Sequence, residues 1–102
     1  MDPFKPYTPS KRPAAPPALT PQDAQAVALQ AVAFIATDDK LLLRFAALTG
    51  CGPDDMRQRV ADAAFLGGVL DFVLADEPTL MAFVEATGLA LATPMAARAK
   101  LP

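Results

Sequence analysis

The chain has no histidine and only one cysteine in 102 residues. It also has a single serine, Ser10, and a single tyrosine, Tyr7. Each scarcity removes a class of chemistry. Without histidine the commonest general base and metal ligand is missing. One thiol cannot supply the several Cys or His ligands that zinc requires, nor form an internal disulfide. Ser10 and Tyr7 lie among prolines, away from any apolar segment that could shape a pocket around them. No glycine-rich loop follows a strand pattern, so no phosphate cradle is expected. The sequence therefore predicts a protein that performs no catalysis, with no cofactor and no metal.

Long apolar runs are also missing. The most apolar stretches, 24–36 and 63–75, span about a dozen residues and are interrupted by Gln25, Gln30 and Asp71. A spanning helix needs roughly 20 apolar residues, so neither is expected to cross a bilayer. No apolar signal segment opens the chain, and the lone Cys51 suits a reducing compartment, which together predict a cytoplasmic location.

Proline, by contrast, is abundant at the start. Pro3, Pro6, Pro9, Pro13, Pro16 and Pro17 all precede residue 20. Their near three-residue period fits a polyproline II segment and forbids a helix. Residues 1–19 are expected to form a disordered leader. The alternative is a docking ligand, since Pro6-Tyr-Thr-Pro9 beside Lys11-Arg12 resembles proline motifs read by aromatic grooves. The leader carries a net +2, from Lys5, Lys11 and Arg12 against Asp2, and the rest of the chain carries -4. An acidic folded part argues against a nucleic-acid surface.

Residues 20–102 read as one helical domain. Thr20-Pro21-Gln22-Asp23 combines a capping threonine, a first-turn proline and an acid at the third position. Ala24, Val27, Ala28, Ala31, Phe34 and Ile35 follow at helical spacing. Asp38-Asp39 restarts the chain, Leu41, Leu42, Phe45 and Leu48 form the next apolar stripe, and Gly50 stops it. A short helix is predicted from Pro53 to about Asp62, then an apolar helix over 63–75. Asp76-Glu77-Pro78 opens another, carrying Leu80, Met81, Phe83 and Val84, which Gly88 ends. Pro94 starts a last short helix through Leu101, with a fraying end.

Sliding the sequence on itself by 38 positions aligns Phe34 with Phe72, Asp38 with Asp76, and Leu42 with Leu80. It also aligns Phe45 with Phe83, Thr49 with Thr87, and Gly50 with Gly88. The match spans a whole helix–turn–helix unit, which points to an internal repeat. The predicted fold is all-α: a small bundle of two similar hairpins joined by a short helix, each hairpin covering the other's apolar side.

Three features invite a functional reading. The acid pairs Asp38-Asp39, Asp54-Asp55 and Asp76-Glu77 could hold a cation, but each begins a helix, where capping explains all three. Cys51 matches Leu89 in the repeat and is expected to be a small buried hydrophobe. Gly67, Gly68 and Asp71 form a face of small and polar residues that could be solvated, packed internally, or met by a partner; it is the candidate partner face. Leu29, Leu41, Leu43 and Leu91 exceed what a lone small bundle needs to bury. The simplest use for such a surplus is contact with a protein partner, including a second copy of the chain.

The competing function is DNA reading by a helix-turn-helix over residues 42–60, with Arg57, Gln58 and Arg59 as contact residues. Ala46 and Gly50 have the turn spacing, and Met56 stands where a core residue belongs. Against it, Asp54-Asp55 would meet phosphate with the wrong charge.

The segments Ala28–Ile35, Leu43–Gly50 and Ala64–Glu77, above all Leu70-Asp-Phe-Val-Leu-Ala-Asp-Glu77, resemble a family of short uncharacterised alphaproteobacterial proteins that form a domain of unknown function. The likeness covers about residues 20–100. Cys51-Gly52 and Gly67-Gly68 depart from its pattern, which has leucine and a polar residue at the first pair and alanines at the second. The resemblance implies a bacterial helical protein and supplies no activity, cofactor or functional residue.

Overall fold

The computed structural model describes residues 19–102. Most of the proline-rich leader, with the docking motif assigned to it, lies outside the described residues. Leu19, placed with the leader by sequence, packs against the core.

Six helices make up the described residues: α1 (Pro21–Ala36), α2 (Asp39–Thr49), α3 (Pro53–Arg59), α4 (Ala63–Leu74), α5 (Glu77–Thr87) and α6 (Thr93–Arg98). The start of α1 follows from its sequence. The Asp23 amide donates to Thr20 Oγ1 at 3.0 Å while the Thr20 amide donates to the Asp23 carboxylate at 3.1 Å. This reciprocal pair satisfies amides that the first turn leaves without partners. Ala24, Val27, Ala28, Ala31 and Ile35 then fall on one buried face. Three alanines on that face leave room for neighbouring backbones to come close.

The two hairpins are built alike. Two residues connect α1 to α2, and two connect α4 to α5. Asp38 caps α2 from an extended backbone (φ -122°, ψ 110°), and Asp76 caps α5 in nearly the same way (φ -131°, ψ 110°). Gly50 and Gly88 end the second helices at φ 75° and 76°, a left-handed conformation that side chains with a Cβ resist. Before each glycine a threonine hydroxyl donates back into the last turn, Thr49 to the Phe45 carbonyl at 2.7 Å and Thr87 to the Phe83 carbonyl at 2.8 Å. Each hydroxyl also accepts from the amide two residues on, Cys51 or Leu89.

At the centre, α1 and α4 pack on each other, and α4 is the more apolar, burying Leu66, Gly67, Val69, Leu70, Phe72 and Val73. α2 lies on α1 and reaches α4 through Phe45, whose ring meets Phe65 and Phe72 edge-on. α5 lies on α4 and reaches α1 through Phe83, which stacks at a tilt on Phe34.

Three sequence expectations need correction. The two hairpins do not cover each other unaided, because α6 packs against both α1 and α4 and seals them with Ala97 and Pro94. α6 stops at Arg98 rather than running through Leu101, yet the residues after it stay on the core, with Leu101 buried and its carbonyl accepting from Arg98. Leu48, assigned to the α2 stripe, is 71% exposed. It lies on the last turn of α2.

Candidate functional site

The surplus leucines divide. Leu41 is buried in the core, which corrects the expectation that it was spare, whereas Leu29, Leu43 and Leu91 are exposed. Of these three, Leu91 lines a concave surface. Where α4 ends and α5 begins, facing the start of α6, an apolar groove of about 450 Å³ opens to solvent. Leu74, Leu80, Met81, Leu91, Ala92 and Met95 line it, with Glu77 as the one charged side chain in its wall. Met81 is 47% exposed, Leu91 55% and Met95 67%. The helix period explains the wall: Glu77 and Met81 are four residues apart on α5, one turn above the other.

A second hollow, of about 460 Å³, is shallower. Gln30, Ala33, Phe34, Thr37, Ala86 and Thr87 line it, between the ends of α1 and α5. Its wall mixes the polar Gln30, Thr37 and Thr87 with Phe34 and two alanines.

The face of Gly67, Gly68 and Asp71 is divided between the fold and solvent. Arg98 grips Asp71 with two nitrogens, at 2.7 and 3.2 Å. The same guanidinium donates to the carbonyls of Leu101 and Pro102 at 3.0 and 3.2 Å. The bond to Asp71 raises the Arg98 pKa above its ordinary value. Gly67 lies beneath this segment, and a Cβ there would stand 2.8 Å from the Pro102 carbonyl oxygen. Gly68 faces open space. Of the three, Gly68 alone is left without a neighbour from the chain's own α6 segment.

Arg57, Gln58 and Arg59 are exposed on α3, a helix of seven residues. Arg57 is paired with Asp54 on the same helix. Asp55 accepts from the Gly52 amide at the helix start. The three candidate DNA contacts thus share a short surface with two carboxylates. Cys51 is buried and free. Among the described residues, no three His, Cys, Asp or Glu side chains converge as a metal-ligand group. No described helix is long and apolar enough to cross a membrane.

One polar cluster escaped the sequence reading. Arg44 of α2 donates to Thr79 Oγ1 at 2.7 Å and lies 3.5 Å from the Asp76 carboxylate. Its guanidinium sits 5.1 Å above the Phe72 ring. Thr79, buried, donates its hydroxyl to the Asp76 carboxylate at 2.5 Å and its amide at 3.1 Å. These bonds from Thr79, with Arg44 beside them, hold the Asp76 carboxyl below the ordinary range despite partial burial. The cluster ties α2 to the junction of α4 and α5. No local pattern announces it, since Arg44 and Thr79 are 35 residues apart.

These features define a class: an all-helical bundle whose polar clusters serve the fold and whose open feature is an apolar groove. Residues 21–102 match the family described as protein of unknown function (DUF3572), and the chain belongs to that family. No curated protein and no solved structure matches the chain.

Proposed function

We propose that this chain is a non-enzymatic, cytoplasmic protein-interaction module that binds through the groove between α5 and α6. The observation that carries the reading is the cluster of Met81, Leu91 and Met95, about half or more exposed around one apolar hollow. Single exposed apolar residues are ordinary on protein surfaces, but a contiguous concave cluster leaves water in contact with apolar area that a partner can cover. Methionine suits such a surface because its unbranched, polarisable side chain adapts to varied shapes. The absence of histidine throughout, with serine and tyrosine confined to the leader, supports a role without catalysis. The matched caps and threonine bonds of the hairpins support descent from an internal duplication.

The test is a photo-crosslinking residue at Leu91 of the full chain, expressed in its native host, with the same residue at exposed Gln25 as control. The expected result is a discrete adduct from position 91 that position 25 lacks and that Met81→Glu with Met95→Glu abolishes. Identical adducts from both positions would overturn the reading.

A further inference from the structure

We infer that the α5–α6 groove binds the outer face of α2 from a second copy of the chain, so that copies associate head to tail. The inference rests on the groove being the interaction surface and names what fills it.

Six large apolar side chains are exposed among the described residues. Met81, Leu91 and Met95 belong to the groove, which leaves Leu29, Leu43 and Leu48 on helix surfaces outside it. Leu43 and Leu48 are the most exposed of the six, at 72% and 71%, and both stand on α2. Seating such a leucine in the groove removes apolar area from water on both copies at once.

The two surfaces are complementary in charge. Glu77 stands in the groove wall, and exposed Glu85, two turns further along α5, extends its acidic edge. On α2, Lys40, Leu43 and Ala47 are all exposed and share one face at helical spacing. About one turn separates Lys40 from Leu43, and about one turn separates Glu77 from Met81. A base and an apolar anchor on one copy thus meet an acid and an apolar wall on the other at matched spacing. α1 offers no such pairing, because it carries Leu29 but has no charged residue after Asp23. Arg44, the other base of α2, is committed to Thr79 and Asp76. Asp39 falls on the opposite flank of Leu43 from Lys40, in the first turn of α2, where a carboxylate suits the helix dipole.

Knob and groove are unlike surfaces of one chain. In the 38-residue repeat Leu43 matches Met81, but Asp54 and Arg57, paired with each other, stand where the groove has Ala92 and Met95. Two copies joined in this way leave one knob and one groove unfilled, and a third copy can add. Such a contact is heterologous and extends into a ring or a filament. α2 has 11 residues and is about 16 Å long, so each contact is small and reversible.

The test is sedimentation of the full chain over a range of concentrations, alongside Leu43→Glu and Met81→Glu. The expected result is a weight-average mass that rises with concentration past that of a dimer, while each variant alone stays monomeric. An equimolar mixture of the two variants should form a one-to-one dimer and nothing larger, because one supplies an intact groove and the other an intact α2. Lys40→Glu and Glu77→Lys should each weaken association, and the double variant should recover it. All four positions are exposed, so circular dichroism should report an unchanged fold. A full chain that stays monomeric throughout, or a variant mixture that does, would overturn the inference. So would association that survives Leu43→Glu, because it would use another surface. A specific adduct between position 91 and a different protein, from a chain that does not self-associate, would defeat this inference and leave the interaction module standing.

Discussion

The ring of Phe34 lies 5.5 Å from that of Phe83, and Phe72 and Phe45, which stand 38 positions from each of them, repeat the contact at 5.2 Å. Each hairpin thus places an aromatic ring of its first helix against the second helix of the other. Tilted and edge-on pairs of this kind add about 0.5–1.5 kcal/mol to what burial provides. Phe45 and Phe83 are almost wholly buried, and truncating either should cost about 3–5 kcal/mol. Phe45→Ala and Phe83→Ala are therefore expected to lower the urea midpoint by similar amounts. Both hairpins should still unfold in one transition, monitored by circular dichroism and by amide exchange.

The glycines separate by what surrounds them. Gly68→Ala meets no atom within 4 Å and should gain about 0.8–1 kcal/mol from helix propensity. Gly67→Ala drives a methyl into the Pro102 carbonyl and the Arg98 guanidinium. That crowding should cost about 1–3 kcal/mol and outweigh the same gain. Gly50→Ala and Gly88→Ala should each lose about 1–2 kcal/mol from left-handed strain, and Gly52→Ala, at φ -83°, should be close to neutral. Thermal melts of the five variants would order them.

Asp76 supplies the pH dependence. Its folded pKa lies below the ordinary 3.8, so the carboxylate's contribution is complete above about pH 4. That contribution is lost as pH falls through the lower folded value. Thr79→Val removes the hydroxyl that contributes most to the shift while keeping the shape. A carbon-13 titration of the carboxyl should then show the Asp76 midpoint rising toward its ordinary value. A midpoint that stays depressed would mean that Arg44 and the Thr79 amide suffice.

Arg98→Ala should act locally. It frees Asp71 and two carbonyls at the end of α6, for a loss of about 1 kcal/mol, modest because the Asp71 carboxylate is more than half exposed. Amide exchange in α6 should accelerate more than in α1 or α4, since opening of this segment would precede global unfolding.

Much of this architecture is legible in the sequence, because local chemistry fixes it. Thr20, Asp38 and Asp76 cap helices as their positions predict, and Gly50 and Gly88 take the left-handed stops. Pro53 and Ala63 begin helices where expected, and Cys51 is buried as its match to Leu89 implied. What escaped reading depends on distant parts meeting. Leu41 and Leu43 look equally apolar in the sequence, yet one is buried and the other is 72% exposed. The two-residue turn and the path of α4 decide between them. Asp71 looks like a solvent or partner residue until Arg98, 27 positions on, returns to it. The groove is invisible for the same reason, since Met81 and Met95 become neighbours only when α6 folds back.

The connection through α3 has a consequence for how the molecule could be taken apart. Between the halves, α3 contributes Met56 as its one buried side chain, and residues 57–59 are exposed. A nick there would leave two fragments, each carrying aromatic rings that only the other can shelter. Neither should hold a stable shape in isolation, and mixing them should restore the native helix content at a one-to-one ratio. The covalent link would then serve mainly to keep two mutually dependent strangers at high local concentration.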